Sequence, residues 1–111
     1  MNSKQPQITE GVGVMSGTSL DGLDLAHCRF EENSEGQVIW KIVCAETIPL
    51  PDSWKKRLSQ LPESNAATFA RTDVELGHFI GEQVAEFVQG YQLSPGFVAS
   101  HGQTVFHQPD Q

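Results

Sequence analysis

The stretch Gly11-Val-Gly-Val-Met-Ser-Gly-Thr-Ser-Leu-Asp-Gly-Leu-Asp24 limits the folds open to this chain more than any other. Apolar Val12 to Met15 gives way to Ser16, Gly17, Thr18 and Ser19. Asp21, Gly22 and Asp24 follow, and the chain turns apolar again at Leu23, Leu25 and Ala26. The pattern reads as a strand, a tight polar turn and a returning strand. Hydroxyls and carboxylates gather at the turn, where backbone N–H groups and hydroxyls can hold a phosphate and a carboxylate can serve a divalent cation.

The remaining segments extend this hairpin. Residues 1–10 are expected to form a flexible N-terminal arm, frayed through residue 9, ahead of a first strand from Gly11 to Ser16. Leu23 to Phe30 alternates as its antiparallel partner. Glu31 to Gly36 supplies turn residues, and Gln37 to Leu50 is a long third strand that completes an antiparallel meander. Pro49 and Pro51 end it, with Pro51 placed as the first residue of a short helix whose Trp54, Leu58 and Leu61 share one face. Pro62 stops that helix. Ser64 or Asn65 can cap a second helix from about Ala66 to Gln89, and Thr72-x-x-Glu75 offers a later start. Phe69, Leu76, Ile80, Val84, Phe87 and Tyr91 form its apolar stripe. Gly77 and Gly81 each disfavour a helix by about 1 kcal/mol relative to Ala, which suggests close packing against the sheet as compensation. Gly90 to Gly96 is a turn, and Phe97 to Ser100 is a short fourth strand, apolar enough to be central. The expected class is α/β. A three-stranded meander followed by helices and a further strand resembles a ribonuclease-H-like core, although such an analogy carries no function by itself.

Composition narrows the partners. The chain has 111 residues, enough for one small domain and too few for two. Its formal charge of -7, from 7 basic and 14 acidic residues, argues against a general nucleic-acid or anionic-membrane surface. Small molecules are the expected partners. Residues 1–10 hold no apolar core of a signal peptide, and no window approaches the roughly 20 apolar residues of a membrane-spanning helix. Cys28 and Cys44 lack metal-site spacing and read as two reduced, partly buried thiols of a cytoplasmic protein.

Two stretches carry the chemical possibilities. Gly17-Thr-Ser-Leu-Asp-Gly22 has the glycine spacing of a P-loop, but Leu23 stands where lysine is required and a strand follows in place of a helix. Gly17-Thr-Ser19 begins like a nucleophile elbow, yet Asp21 replaces its second glycine. Asp21 and Asp24 resemble part of a nuclease carboxylate cluster, against which the acidic balance counts. From spacing alone, an unliganded hairpin turn remains equally open. The second stretch, Ser100-His-Gly-Gln-Thr104, follows the fourth strand, where open α/β sheets tend to bind ligands. His101, Gln103 and Thr104 can hydrogen-bond a polyhydroxylated ligand, or the loop can simply satisfy its own backbone. His27 and His78 are expected to be structural. The spacing of His101 and His107 fits no standard zinc pattern, and no structural zinc is expected.

Taken together, Met15-Ser-Gly-Thr-Ser-Leu-Asp-Gly-Leu-Asp24 and Ser100-His-Gly-Gln-Thr-Val-Phe-His107 resemble the two N-terminal signatures of the anhydro-N-acetylmuramic acid kinase family. The resemblance extends over nearly all of the chain after residue 10. It implies membership of the sugar kinase, Hsp70 and actin superfamily, whose ribonuclease-H-like, actin-like ATPase domains close around ATP. It further implies an ATP- and Mg²⁺-dependent opening and phosphorylation of 1,6-anhydro-N-acetylmuramic acid to N-acetylmuramic acid 6-phosphate, a step in peptidoglycan recycling.

By position, the resemblance assigns Gly17, Thr18, Ser19, Leu20, Asp21, Gly22, Leu23 and Asp24 to the ATP phosphates. Asp21 or Asp24 would face Mg²⁺, through water. Ser100, His101, Gly102, Gln103 and Thr104 are assigned to the sugar side. The family's general-base Asp lies in a later Gly-rich motif, expected beyond Gln111. The chain is therefore expected to be an N-terminal segment and an incomplete domain, inactive alone, with exposed apolar surface and a tendency to self-associate as a homodimer. A non-catalytic actin-like nucleotide-binding module and a purely structural fragment are the alternatives.

Overall fold

The computed structural model describes residues 7–16 and 22–103, the last three by backbone alone. Strands β1 (Gln7–Ser16), β2 (Gly22–Glu32) and β3 (Val38–Pro49) come first, then helices α1 (Asp52–Gln60) and α2 (Ala66–Gly90), then strand β4 (Phe97–Gln103). A single 3-10 turn, Leu61–Glu63, joins the two helices. The expected meander is present, because β1, β2 and β3 pair antiparallel in succession. β4 pairs with β1 in parallel, giving a mixed sheet in the order β3-β2-β1-β4. This is an α/β arrangement.

Alternation decides which face is covered. Val12, Val14 and Ser16 of β1 and Leu23, Leu25 and His27 of β2 are buried, while Met15 and Asp24 on the opposite face are exposed. The inward set meets Val84 and Phe87 of α2, with Ile80, Val88, Leu93, Cys44 and Ile48 packed around it. A second, smaller cluster joins Leu50, Leu58 and Leu61, with Trp54, Leu76 and Phe79 against it. Arg57 fastens the two helices: its guanidinium donates to Glu75 at 2.8 Å and lies 4.4 Å from the centre of the Trp54 ring. The turn between β2 and β3 is built on Asn33, whose Oδ1 accepts the N–H groups of Glu35 and Gln37, both at 2.9 Å. Gly36 there has φ of 81°, a value glycine tolerates without strain.

Five features depart from the sequence reading. β1 begins at Gln7, not Gly11, because residues 7–10 pair with 29–32 through backbone groups that are indifferent to side-chain polarity. Pro51 is the N-cap of α1, outside the helix, since its ψ of 148° is extended. β4 runs on to Gln103 and, among the described residues, is an edge strand. Gly77 and Gly81 are not packed on the sheet: a Cβ placed on either meets nothing within 4 Å. Phe69 and Tyr91, at the two ends of the apolar stripe, are exposed.

Asn65, one of the two proposed caps, holds the start of α2. Its Oδ1 accepts the Thr68 N–H at 2.8 Å. The other end closes with the Leu93 N–H donating to the Val88 carbonyl at 2.9 Å, which places Gln92 at φ of 54°. That left-handed position favours glycine. Asn65→Ala is therefore expected to lower stability by about 1 kcal/mol, and Gln92→Gly to raise it by roughly 0.5–1 kcal/mol. Urea denaturation checks both, as opposite shifts of the midpoint at an unchanged slope.

Candidate functional site

The two signature stretches, remote in sequence, are brought together by one pairing. β1 and β4 run parallel, so both end at the same edge of the sheet, and Ser16 is the register partner of Gln103. The end of β1 and the end of β4 thus share one side of the molecule. From Val14 to Ser16 the register advances two residues on β1, while it advances three on β4, from Ser100 to Gln103. The extra residue is a bulge around His101 and Gly102, a device that re-aims a strand end. Ser100, His101, Gly102 and Gln103 therefore lie within β4, not in a loop beyond it. Thr104 and His107, like Gly17, Thr18, Ser19, Leu20 and Asp21, lie outside the described residues.

The described part of the first stretch divides into structural and chemical positions. Gly22 opens β2 opposite Pro49, and a Cβ there would stand 2.8 Å from the Ile48 carbonyl oxygen. The approach of β3 thus accounts for this glycine without any ligand. Leu23 is buried, and its side chain packs in the core under α2. Asp24 is exposed on the sheet face opposite α2, where the Thr47 hydroxyl donates to its Oδ1 at 2.6 Å. This partner was not legible in the sequence, because it depends on the register that sets Asp24 opposite Thr47.

Mg²⁺ accepts one or two protein carboxylates and completes its shell with water and substrate phosphate. Asp24 fits such a contact, with Oδ2 left to it when Oδ1 is held by Thr47. Among the described residues no group of three His, Cys, Asp or Glu side chains is arranged to hold a metal.

His27 is 0% exposed, and its Nε2–H donates to Glu10 Oε1 at 2.6 Å. It bridges β2 to β1 inside the sheet's covered face, as a structural histidine should, although its Nδ1 finds no partner among the described residues. His78 is exposed on α2. Cys28 and Cys44 are free and half-buried, and burial pushes the Cys44 thiol up from its ordinary value. The Tyr91 hydroxyl donates to Glu46 at 3.1 Å, and that bond, then the glutamate's charge, raises its pKa.

Residues 9–111 match the family model described as anhydro-N-acetylmuramic acid kinase. The anhydro-N-acetylmuramic acid kinase of Pasteurella multocida is 34% identical over 105 residues, which cover 89% of this chain and 26% of that relative. That of Francisella tularensis subsp. novicida is 35% identical over 103 residues, covering 87% and 27%. That of Photobacterium profundum is 31% identical over 105 residues, covering 89% and 27%. The chain spans about a quarter of the length of these curated relatives.

Gly22→Ala forces its methyl against the Ile48 carbonyl and is expected to cost about 1–3 kcal/mol. Gly13→Ala, where nothing stands within 4 Å, is expected to be near neutral. Paired denaturation curves of the two variants measure the contrast.

Proposed function

The chain belongs to the anhydro-N-acetylmuramic acid kinase family, and from that premise we propose that it is one segment of an ATP- and Mg²⁺-dependent sugar kinase acting on 1,6-anhydro-N-acetylmuramic acid. In the proposed reaction water adds at the anomeric carbon and opens the anhydro bridge. The released O6 takes the γ-phosphoryl group of ATP, giving N-acetylmuramic acid 6-phosphate and ADP. This is a salvage step on a peptidoglycan fragment, performed where ATP is available, in the cytoplasm.

The observation that best supports the reading is the convergence of the two signature stretches through the β1–β4 pairing. A phosphate donor and a sugar acceptor must meet, and the segments assigned to them end side by side. Gly17 to Asp21 would offer backbone N–H groups and hydroxyls to the phosphates, and Asp24 would act from the exposed face near the start of β2. Ser100 to Thr104 would hydrogen-bond the sugar. Bound Mg²⁺ would supply the positive charge that makes Asp21 and Asp24 tolerable beside a triphosphate. Thr47 would hold the Asp24 carboxylate in one orientation. The order of meander, crossover helix and parallel strand is the one expected of an actin-like, ribonuclease-H-like domain, and that fold is part of the same proposal.

In the complete kinase carrying this segment, Asp21→Asn is expected to reduce turnover roughly 10- to 100-fold, the range for removing a group that orients a metal's ligands, and to raise the Mg²⁺ concentration needed for half-maximal rate. ADP release with the anhydro sugar as acceptor measures both. Unchanged kinetics would remove Asp21 from the site. The 111-residue chain by itself is expected to give no phosphoryl transfer, and turnover by it would contradict the proposal that the site is completed by other parts of the kinase.

A further inference from the structure

A groove of about 580 Å³ runs between α2, the end of α1 and the free side of β4. Leu58, Leu61, Phe69, Leu76, Ile80 and Val98 make it apolar, and Gly77 and Gly81 form one wall. Asp73 is its one charged lining residue among the described residues. Val98 is the register partner of buried Val12, so it belongs to the same sheet face that α2 covers, yet it is 51% exposed. Among the described residues the cover of that face stops short of β4.

Three physical considerations say what is missing. Parallel strands are normally covered on both faces by helices of their crossover connections, and β4 is paired, among the described residues, on one side only. Two glycines one turn apart are poor helix residues, a Cβ on either meets nothing within 4 Å among the described residues, and they remove the side chains that would hold a second helix away from α2. The curated relatives are more than three times as long as the chain. We propose that the groove seats a helix supplied by the portion of the kinase outside the matched segment. That helix crosses α2 in close contact at Gly77 and Gly81 and covers Val98 of β4. Its buried side is apolar, with a basic residue placed to meet Asp73. The proposal concerns assembly, and it stands or falls independently of the reaction assigned above.

The two glycines give the idea a discriminating test. The chain is co-expressed, as a separate polypeptide, with the complementary three quarters of the Pasteurella multocida kinase, and their co-purification is measured. Gly77→Leu and Gly81→Leu are each expected to lower recovery of the pair at least tenfold, while Glu86→Leu, on an exposed position outside the groove, leaves it unchanged. Alone, the chain is expected to respond in the opposite sense: Gly77→Ala and Gly81→Ala raise its thermal midpoint, because each gains helix propensity and meets no atom within 4 Å. Circular dichroism of the isolated leucine variants separates lost docking from lost folding, and the alanine variants repeat the co-purification with a smaller side chain.

Undiminished pairing by the folded leucine variants would overturn the proposal, as would failure of the unsubstituted chain to pair. A homodimer that the same substitutions dissociate, with no pairing to the remainder, would also overturn it and assign the groove to a second copy of the chain.

Discussion

The parallel pairing of β1 with β4 is the interaction on which the rest of this structure depends. β1 is bonded on both sides, to β2 antiparallel and to β4 parallel, and its Val12 and Val14 are among the most deeply buried side chains. The antiparallel partner is the next strand in sequence, whereas the parallel partner has to wait for a crossover. That requirement explains why α1 and α2 stand between β3 and β4, and why α2 lies on the sheet face made by Val12, Val14, Leu23 and Leu25. The same pairing brings Ser16 beside Gln103, and so the two signature stretches to one end of the sheet.

Most buried apolar side chains lie on that one face, and a smaller set, Leu50, Leu58 and Leu61, lies beside the helices. Among the described residues only nine apolar side chains are buried, while Val38, Ile39, Trp40, Ile42 and Val43 of β3 and Phe97 and Val98 of β4 are exposed. Among the described residues both edges of the sheet are therefore apolar and open, a combination that isolated soluble domains usually avoid. The exposed apolar surface expected from the sequence is present. It accords with a segment that spans about a quarter of its curated relatives. Within this setting the short bond from His27 to Glu10 closes the far end of the covered face without demanding a catalytic role.

Local structure was largely legible in the sequence. The alternation of Leu23, Leu25 and His27, the Asn65 cap and the Val84–Phe87 stripe all follow from periodicity and hydrogen-bonding chemistry that neighbouring residues carry. What was not legible is what depends on distant partners. Gln7, Thr9 and Glu10 look like a polar arm until β2 offers them backbone groups to pair with. Gly77 and Gly81 suggest close packing, but the partner is not in this chain's described residues. Gly22 resembles a ligand-binding glycine, yet it is required by a carbonyl of β3. Asp24 was singled out as a carboxylate, and its tie to Thr47 depends on a strand register that no local pattern encodes. The family resemblance identified the two stretches. Their meeting point is a matter of topology.

The most direct measurement of that topology is cross-strand NMR contact in the isotopically labelled chain. Adjacent strands lie about 4.8 Å apart, close enough for nuclear Overhauser effects between backbone protons. The account predicts contacts linking Val12 with Val98, Val14 with Ser100 and Ser16 with Gln103, in the parallel pattern with one extra residue on β4. Contacts of an antiparallel pair, or a β4 whose amides exchange freely with solvent and show no contact to β1, would contradict it and separate the two halves of the proposed site.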